Sequence, residues 1–358
     1  MSSIPAGSRL DQWLKAVAAD NASDLHLRAG LPPVYRVSGH LQPMDPQPVT
    51  AEELHGLCLE LVPERKRQEL EDTGSADFAF GHDRDRYRAS VFRQRGTYAL
   101  VVRRIPTDMM SFEEIGAPPV MKALAQLPRG LILVTGPTGS GKTTTLTALV
   151  HEINVTRAEH IVTLEDPIEF FHESRKSVVT QREIGEDTTS FAEALRRVLR
   201  QDPDVILLGE MRDLETTSAA ITAAETGHLV MGTLHTTGAA RTVDRIIDQY
   251  PENAKEQVRA QLAVSLQAVI SQVLVPRADG KGRVAAFEVM VRNSAIENHV
   301  RKGETFKITS VMQTQRRLGM QLLDDHLLEL VQAGTITKEA ALSYAQMPSD
   351  LAGRLGMT

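Results

Sequence analysis

The chain has 358 residues, 42% of them apolar and 24% charged, with a formal net charge of −6. That length exceeds what one hydrophobic core usually supports, so two domains are expected, and the charge balance gives no global electrostatic ground for a nucleic-acid partner. No apolar run reaches the length of a bilayer span and the N-terminus carries no signal-peptide pattern, so a cytoplasmic protein, touching a membrane only through a partner, is expected. In chain order, residues 9–19 space their apolar side chains as an amphipathic helix. Short strands follow at 24–27 and 34–37, punctuated by turns at Pro32-Pro33 and Ser38-Gly39. A helical stretch over 51–71 breaks at Pro63. It carries the chain's one cysteine, Cys58, which reads as a small core hydrophobe; a single thiol excludes an intrachain disulfide and a cysteine-built zinc cluster.

Two more strands, at 86–92 and 98–105, complete a small α+β module over residues 1–105. In the first, Tyr87, Ala89 and Val91 alternate with Arg88 and Ser90. Arginines cluster in this module at 84, 86, 88, 93, 95, 103 and 104. Most of such a set is solvated surface, yet Arg88 and Arg103 lie on predicted strands, and the planar five-donor guanidinium suits a γ-phosphate better than lysine does. The boundary falls at Pro106-Thr107-Asp108. Residues 106–129 form a linker with a connecting helix bracketed by Pro118-Pro119 and Pro128.

From Gly130 to the end, apolar strands alternate with longer helices, the pattern of an α/β domain with a largely parallel sheet. Strands are expected at 131–135, 161–164, 205–208 and 229–234. After the first comes Gly136-Pro137-Thr138-Gly139-Ser140-Gly141-Lys142-Thr143-Thr144, a glycine-rich loop opening a helix over about 143–153. Glycines let the backbone N–H groups face the phosphates of a nucleoside triphosphate. Lys142 spans the β- and γ-phosphates, the Thr143 hydroxyl can hold Mg²⁺, and the helix dipole adds positive charge beneath. The other three strands also end in polar groups, and open sheets place ligands at strand C-termini.

Glu165 and Asp166 follow the second strand; two adjacent carboxylates can organise Mg²⁺ directly or through water, and the spacing does not say which one touches it. Glu210 stands one glycine beyond the third strand, where a carboxylate can polarise or accept a proton from the attacking water; a solvated loop acid is the plainer alternative. Asp204, at the other end of that strand, reads as a solvent-facing cap. His235 ends the fourth strand and His228 precedes it. A neutral imidazole there can sense the γ-phosphate or bridge to a neighbouring subunit, and a packed or surface histidine is the competing reading for His228.

These motifs together resemble the type IV pilus retraction ATPases of the PilT/PilU type, within the secretion-ATPase superfamily of RecA-like motors. The likeness rests on Ala22-Ser23-Asp24-Leu25-His26-Leu27-Arg28, on the segments at 87–96 and 102–106, on the phosphate loop as Walker A, and on an acidic box at 163–170. A Walker B segment at 204–213 and a histidine box at 226–236 complete it. The resemblance implies a PAS-like N-terminal domain before a RecA-like P-loop ATPase domain, ATP and Mg²⁺ as cofactors, and catalytic roles for Glu210, Lys142, Arg88, Arg103 and His235. It also implies a homohexameric ring docked on an inner-membrane pilus platform protein, peripheral to that membrane, with room for a paralogous retraction ATPase and no direct nucleic-acid partner. Residues 233–248 look more PilT-like than PilU-like. The single cysteine also sets the chain apart from related assembly ATPases with a four-cysteine zinc insertion. One segment departs: where the family has Ala-Ile-Arg-Asn-Leu-Ile-Arg-Glu, this chain has Ala295-Ile296-Glu297-Asn298-His299-Val300-Arg301-Lys302, expected as a helix with Glu297 and Arg301 paired. A pilus-assembly or type II secretion ATPase shares the same active site and is the nearest alternative; a nucleic-acid translocase is the alternative of a different class.

Overall fold

The computed structural model describes residues 4–37, 39–83, 85–105 and 109–357. Ser38 of the expected turn, Arg84 of the arginine cluster and Pro106-Thr107-Asp108 lie outside the described residues. The chain divides into two compact units, Met1–Asp108 with Glu169–Phe171, and Met109–Ile168 with His172–Thr358.

The first unit begins with α1 (Arg9–Ala19), which Ser8 caps by accepting the Asp11 N–H and whose Leu10, Trp13, Leu14 and Val17 are buried. Strands β1 (Asp24–Arg28), β2 (Val34–Val37) and β3 (His40–Pro43) follow, then α2 (Ala51–Leu61) and α3 (Glu64–Thr73), separated at Pro63. Strands β4 (Ser75–His82), β5 (Asp85–Gln94) and β6 (Thr97–Ile105) complete it. Among the described residues these form one six-stranded sheet in the order β3-β2-β1-β6-β5-β4, every pair antiparallel. Two of its strands escape the sequence reading. All four residues of β3 are exposed, so no alternation marks it, and β4 interleaves its buried Ala76 and Phe78 with Asp77 and Gly81, which are poor strand formers. Cys58 is fully buried in this core, and burial pushes its thiol up to about 12. It packs as the small hydrophobe expected.

In the second unit, α4 (Val120–Ala125) leads into β7 (Gly130–Thr135) and α5 (Lys142–Thr156). Next come β8 (His160–Glu165), β9 (Val178–Glu183), α6 (Phe191–Val198), β10 (Val205–Leu208), α7 (Leu214–Glu225) and β11 (Leu229–Leu234). The chain continues through α8 (Ala239–Ile247), α9 (Lys255–Ser265), β12 (Leu266–Pro276) and β13 (Arg283–Val291). It closes with α10 (Ser294–Lys302), α11 (Ile308–Thr314), α12 (Leu323–Gln332), α13 (Lys338–Tyr344) and α14 (Pro348–Arg354). The sheet order is β13-β12-β7-β11-β10-β8-β9; only the β12–β13 pair is antiparallel among the described strands.

Strands β7, β10 and β11 are buried along their whole length, as a sheet covered by helices on both faces requires. Alternate residues feed two cores: Leu131, Leu133, Ile206 and Leu208 join one with α6 to α11, while Ile132, Val134, Val205 and Leu207 join the other with α4 and α5. A third cluster packs α12, α13 and α14 onto the outer part of β12 and β13. Here β9, β12 and β13 are absent from the sequence reading. Polar Thr180, Gln181 and Arg182 occupy the edge strand β9, and β12 starts at the residue directly after α9, so no glycine or proline announces it.

Candidate active site

Parallel strands β7, β11, β10 and β8 lie side by side, so their C-terminal ends share one edge of the sheet. The phosphate loop, His235, Glu210 and Glu165 leave from that edge in this spatial order. Neighbouring exits are tied by the backbone: Gly136 N–H donates to Leu234 O at 3.3 Å, and Gly209 N–H to Leu164 O at 2.8 Å.

The loop's glycines are needed for two separate reasons. At Gly136 a Cβ would stand 2.3 Å from Gln272 O and 2.7 Å from Ser140 Oγ, so the loop passes too close to β12 for any side chain. Gly139 and Gly141 have φ of +76° and +87°, the left-handed region that other residues enter only with strain. Lys142 donates to Gly136 O at 2.9 Å and Pro137 O at 3.0 Å, keeping its ammonium over the loop at the first residue of α5. Pro137, Thr138 and Gly139 are exposed, and Thr143 and Thr144 are half-buried in the first helical turn. Ser140 Oγ is buried with no hydrogen-bond partner, a donor suited to an oxyanion lying in the loop. Sequence reasoning missed Gln272, whose amide donates to Ser140 O at 2.7 Å from 132 positions away; nothing local to the motif signals it.

Glu210 is mostly buried. Its Oε1 lies 2.8 Å from His235 Nε2 and its Oε2 2.7 Å from an Arg212 terminal nitrogen. Burial pushes the carboxyl up, but the Arg212 guanidinium beside it, with His235, outweighs burial and holds it below the usual value of 4.5. Arg212 lies within the segment at 204–213, and its spacing of two from Glu210 is the sequence signal for this contact. Glu165 is also buried; its Oε1 accepts from Thr163 Oγ1 at 2.7 Å and Gln181 Nε2 at 3.1 Å, while Asp166 next to it is exposed. Thr143, Glu165 and Asp166 thus offer hydroxyl and carboxylate oxygens, the donor set that a hard divalent cation prefers.

Within its own chain His228 does not share this edge. It precedes β11, and that strand's six residues separate it from His235 by about 20 Å. Its Nδ1 lies 3.0 Å from Ala223 O, at the C-terminal end of α7, and its carbonyl accepts the Gly130 N–H at the start of β7. It is a histidine packed at the opposite end of the sheet.

Arg88 and Arg103 belong to the first unit, directly opposite each other on β5 and β6, and both are exposed. Arg103 Nε donates to Asp24 Oδ1 at 2.8 Å, so its two terminal nitrogens project from a fixed plane. Burial pushes the Asp24 carboxyl up, and the hydrogen bond from Arg103 together with that from Ser23 brings it below its ordinary value.

A family model described as type II/IV secretion system protein matches residues 5–344. The chain is 48% identical, over 95% of its length and 99% of the relative's, to the type IV pilus retraction ATPase PilT of Pseudomonas aeruginosa. To the type IV pilus ATPase PilU of the same organism it is 38% identical, over 95% of its length and 90% of the relative's. A crystal structure of the pilus retraction motor PilT with bound ADP matches with a TM-score of 0.89 at 44% identity, covering 96% of this chain and 98% of that one.

Proposed function

This chain belongs to the type II/IV secretion system protein family, in its PilT-type ATPase branch, and from that premise we propose that it is a homohexameric motor that couples ATP hydrolysis to retraction of type IV pili by pilin depolymerisation. The observation that carries the hydrolytic part is the Glu210 carboxylate, kept ionised by Arg212 and bonded to His235, on the same sheet edge as the phosphate loop. A carboxylate so placed orients the attacking water and takes its proton. Lys142 and the first N–H groups of α5 hold the β- and γ-phosphates in line, and Ser140 Oγ adds a donor within the loop. Thr143 and Asp166, with Glu165 behind, would hold Mg²⁺, which supplies charge neutralisation on the phosphates. His235, bonded to Glu210, senses the γ-phosphate, and Arg88 and Arg103 stabilise the charge that develops on it.

The reading extends to a ring docked on an inner-membrane pilus platform protein, acting from the cytoplasmic side, with a paralogous retraction ATPase able to work beside it. Among the described residues no helix is long and apolar enough to cross a membrane. Deleting the gene tests the direction of the motor. Loss of twitching with abundant surface pili is expected, and absence of pili would instead assign the chain to pilus assembly. Electron microscopy of the purified protein with and without ATP tests the ring.

A further inference from the structure

Glu288 lies on β13 inside the second unit, 4% exposed, and takes no part in the site described above. Its Oε1 accepts the N–H of Ala239, the first residue of α8, at 2.7 Å. On the other side its Oε2 accepts from Gln346 Nε2 at 2.9 Å and from the Leu323 N–H, at the start of α12, at 3.4 Å. Helix α8 has no side-chain cap of its own, so a carboxylate reaching across from a strand satisfies its first donor. Just before it, Gly238 donates to Ser271 Oγ at 2.9 Å and has φ of +91°. A Cβ on Gly238 would stand 3.2 Å from Gln346 Nε2 and 3.5 Å from Glu288 Oε1, so backbone, carboxylate and amide are packed against one another.

What makes this junction more than a buried cap is its distance along the chain from the chemistry. Only Thr236 and Thr237 separate His235 from Gly238, and Thr236 Oγ1 is itself bonded to Thr242 Oγ1 of α8 at 2.7 Å. The backbone that carries His235 is therefore fixed by β11 on one side and by the Gly238–Ala239 junction on the other. The C-terminal segment is gripped at the same place. Asp324 accepts the N–H groups of Gln346 and Met347 at 2.7 and 2.8 Å, which presents the Gln346 amide to Glu288. Burial raises the Glu288 carboxyl, as expected of an acid held inside the fold by neutral donors.

We propose that Glu288 is a positioning residue that couples the C-terminal segment at Gln346 to the catalytic edge, by holding the start of α8 and so the placement of His235 against Glu210. The inference rests on the reading of His235 given above, and the test separates the two. ATP turnover by the purified full-length protein would be measured for Glu288→Gln, Gln346→Ala, His235→Ala and each of the first two combined with His235→Ala, with a melting temperature for every variant. Glu288→Gln is expected to lower kcat by about 10- to 100-fold with little change in KM, because it misplaces a catalytic group without touching the phosphate loop. Gln346→Ala should act in the same direction by a smaller factor. In the His235→Ala background both should cost less than about twofold more, since the residue they act through is already gone. Effects that multiply in that background, or wild-type kcat in both folded single variants, would overturn the coupling. Full turnover by His235→Ala would overturn the reading of His235 and the coupling with it. If Glu288→Gln does not fold, Gln346→Ala decides alone by the same two criteria.

Discussion

Glu210 is pulled in two directions by its surroundings. Burial favours its neutral form, while Arg212 at 2.7 Å and His235 at 2.8 Å favour the carboxylate and prevail. Because its folded value is depressed, the stability these pairs contribute is present above the unfolded value of 4.5 and is lost as pH falls through the lower, folded value. The acid limb of kcat/KM set by Glu210 should therefore lie below 4.5. Removing Arg212 leaves burial in place and deletes the main opposing influence, so Arg212→Ala should move that limb upward; an unmoved limb in the pH profile would separate it from Glu210. Two further substitutions divide binding from chemistry. Lys142→Ala should weaken nucleotide binding, whereas Glu210→Gln should retain binding and lower turnover by about 10²- to 10⁴-fold, the usual range for a lost general base. Isothermal titration beside a phosphate-release assay distinguishes them, and normal turnover by the glutamine variant would remove Glu210 from the catalytic role.

At the scale of elements, α10 shows what a motif departure becomes in the fold. Asn293 caps the helix and Gly303, at φ +70°, ends it, close to the span expected from the sequence. The pairing of Glu297 with Arg301 is present, but Glu297 also binds Arg292 at 2.9 Å from the loop before the helix, so one carboxylate serves two guanidinium groups. Glu297→Arg, which restores the family residue, should lose the helical pair, worth about 0.2–0.5 kcal/mol, and add repulsion from both arginines. A small fall in melting temperature with ATP turnover preserved is expected, together with altered twitching motility in the same strain. Unchanged motility and unchanged turnover would leave Glu297 as a surface substitution. The sequence showed this helix, the four central strands and the residues at their ends because each is written in a local period or a short motif. What it did not show depends on distant chain. Gln272 under the phosphate loop and Glu288 at the start of α8 come from β12 and β13, far along the chain from the groups they touch, and the polar edge strand β9 supplies Gln181 to Glu165.

For the whole molecule, the question is what Arg88 and Arg103 do on a unit without a phosphate loop. They face each other across an antiparallel pair, where like charges repel, and Asp24 pairs with Arg103 but not with Arg88. Two exposed guanidinium groups held side by side are a poor arrangement for stability and a good one for an anion with several oxygens. In the proposed ring, the arginine-bearing unit of one subunit would serve the ATP held by another, and mixed assemblies test this. A subunit lacking both arginines retains Glu210, and a Glu210→Gln subunit retains both arginines. Each should be inactive as a pure ring. If the arginines act across subunits, a mixed ring contains some interfaces with an intact Glu210 on one side and intact arginines on the other, and turnover should exceed that of either pure variant. Within a single chain no such rescue can occur, because every subunit then lacks one function or the other. Mixing ratios near equality should give the highest recovery, and proven mixed rings without recovery would confine Arg88 and Arg103 to their own subunit.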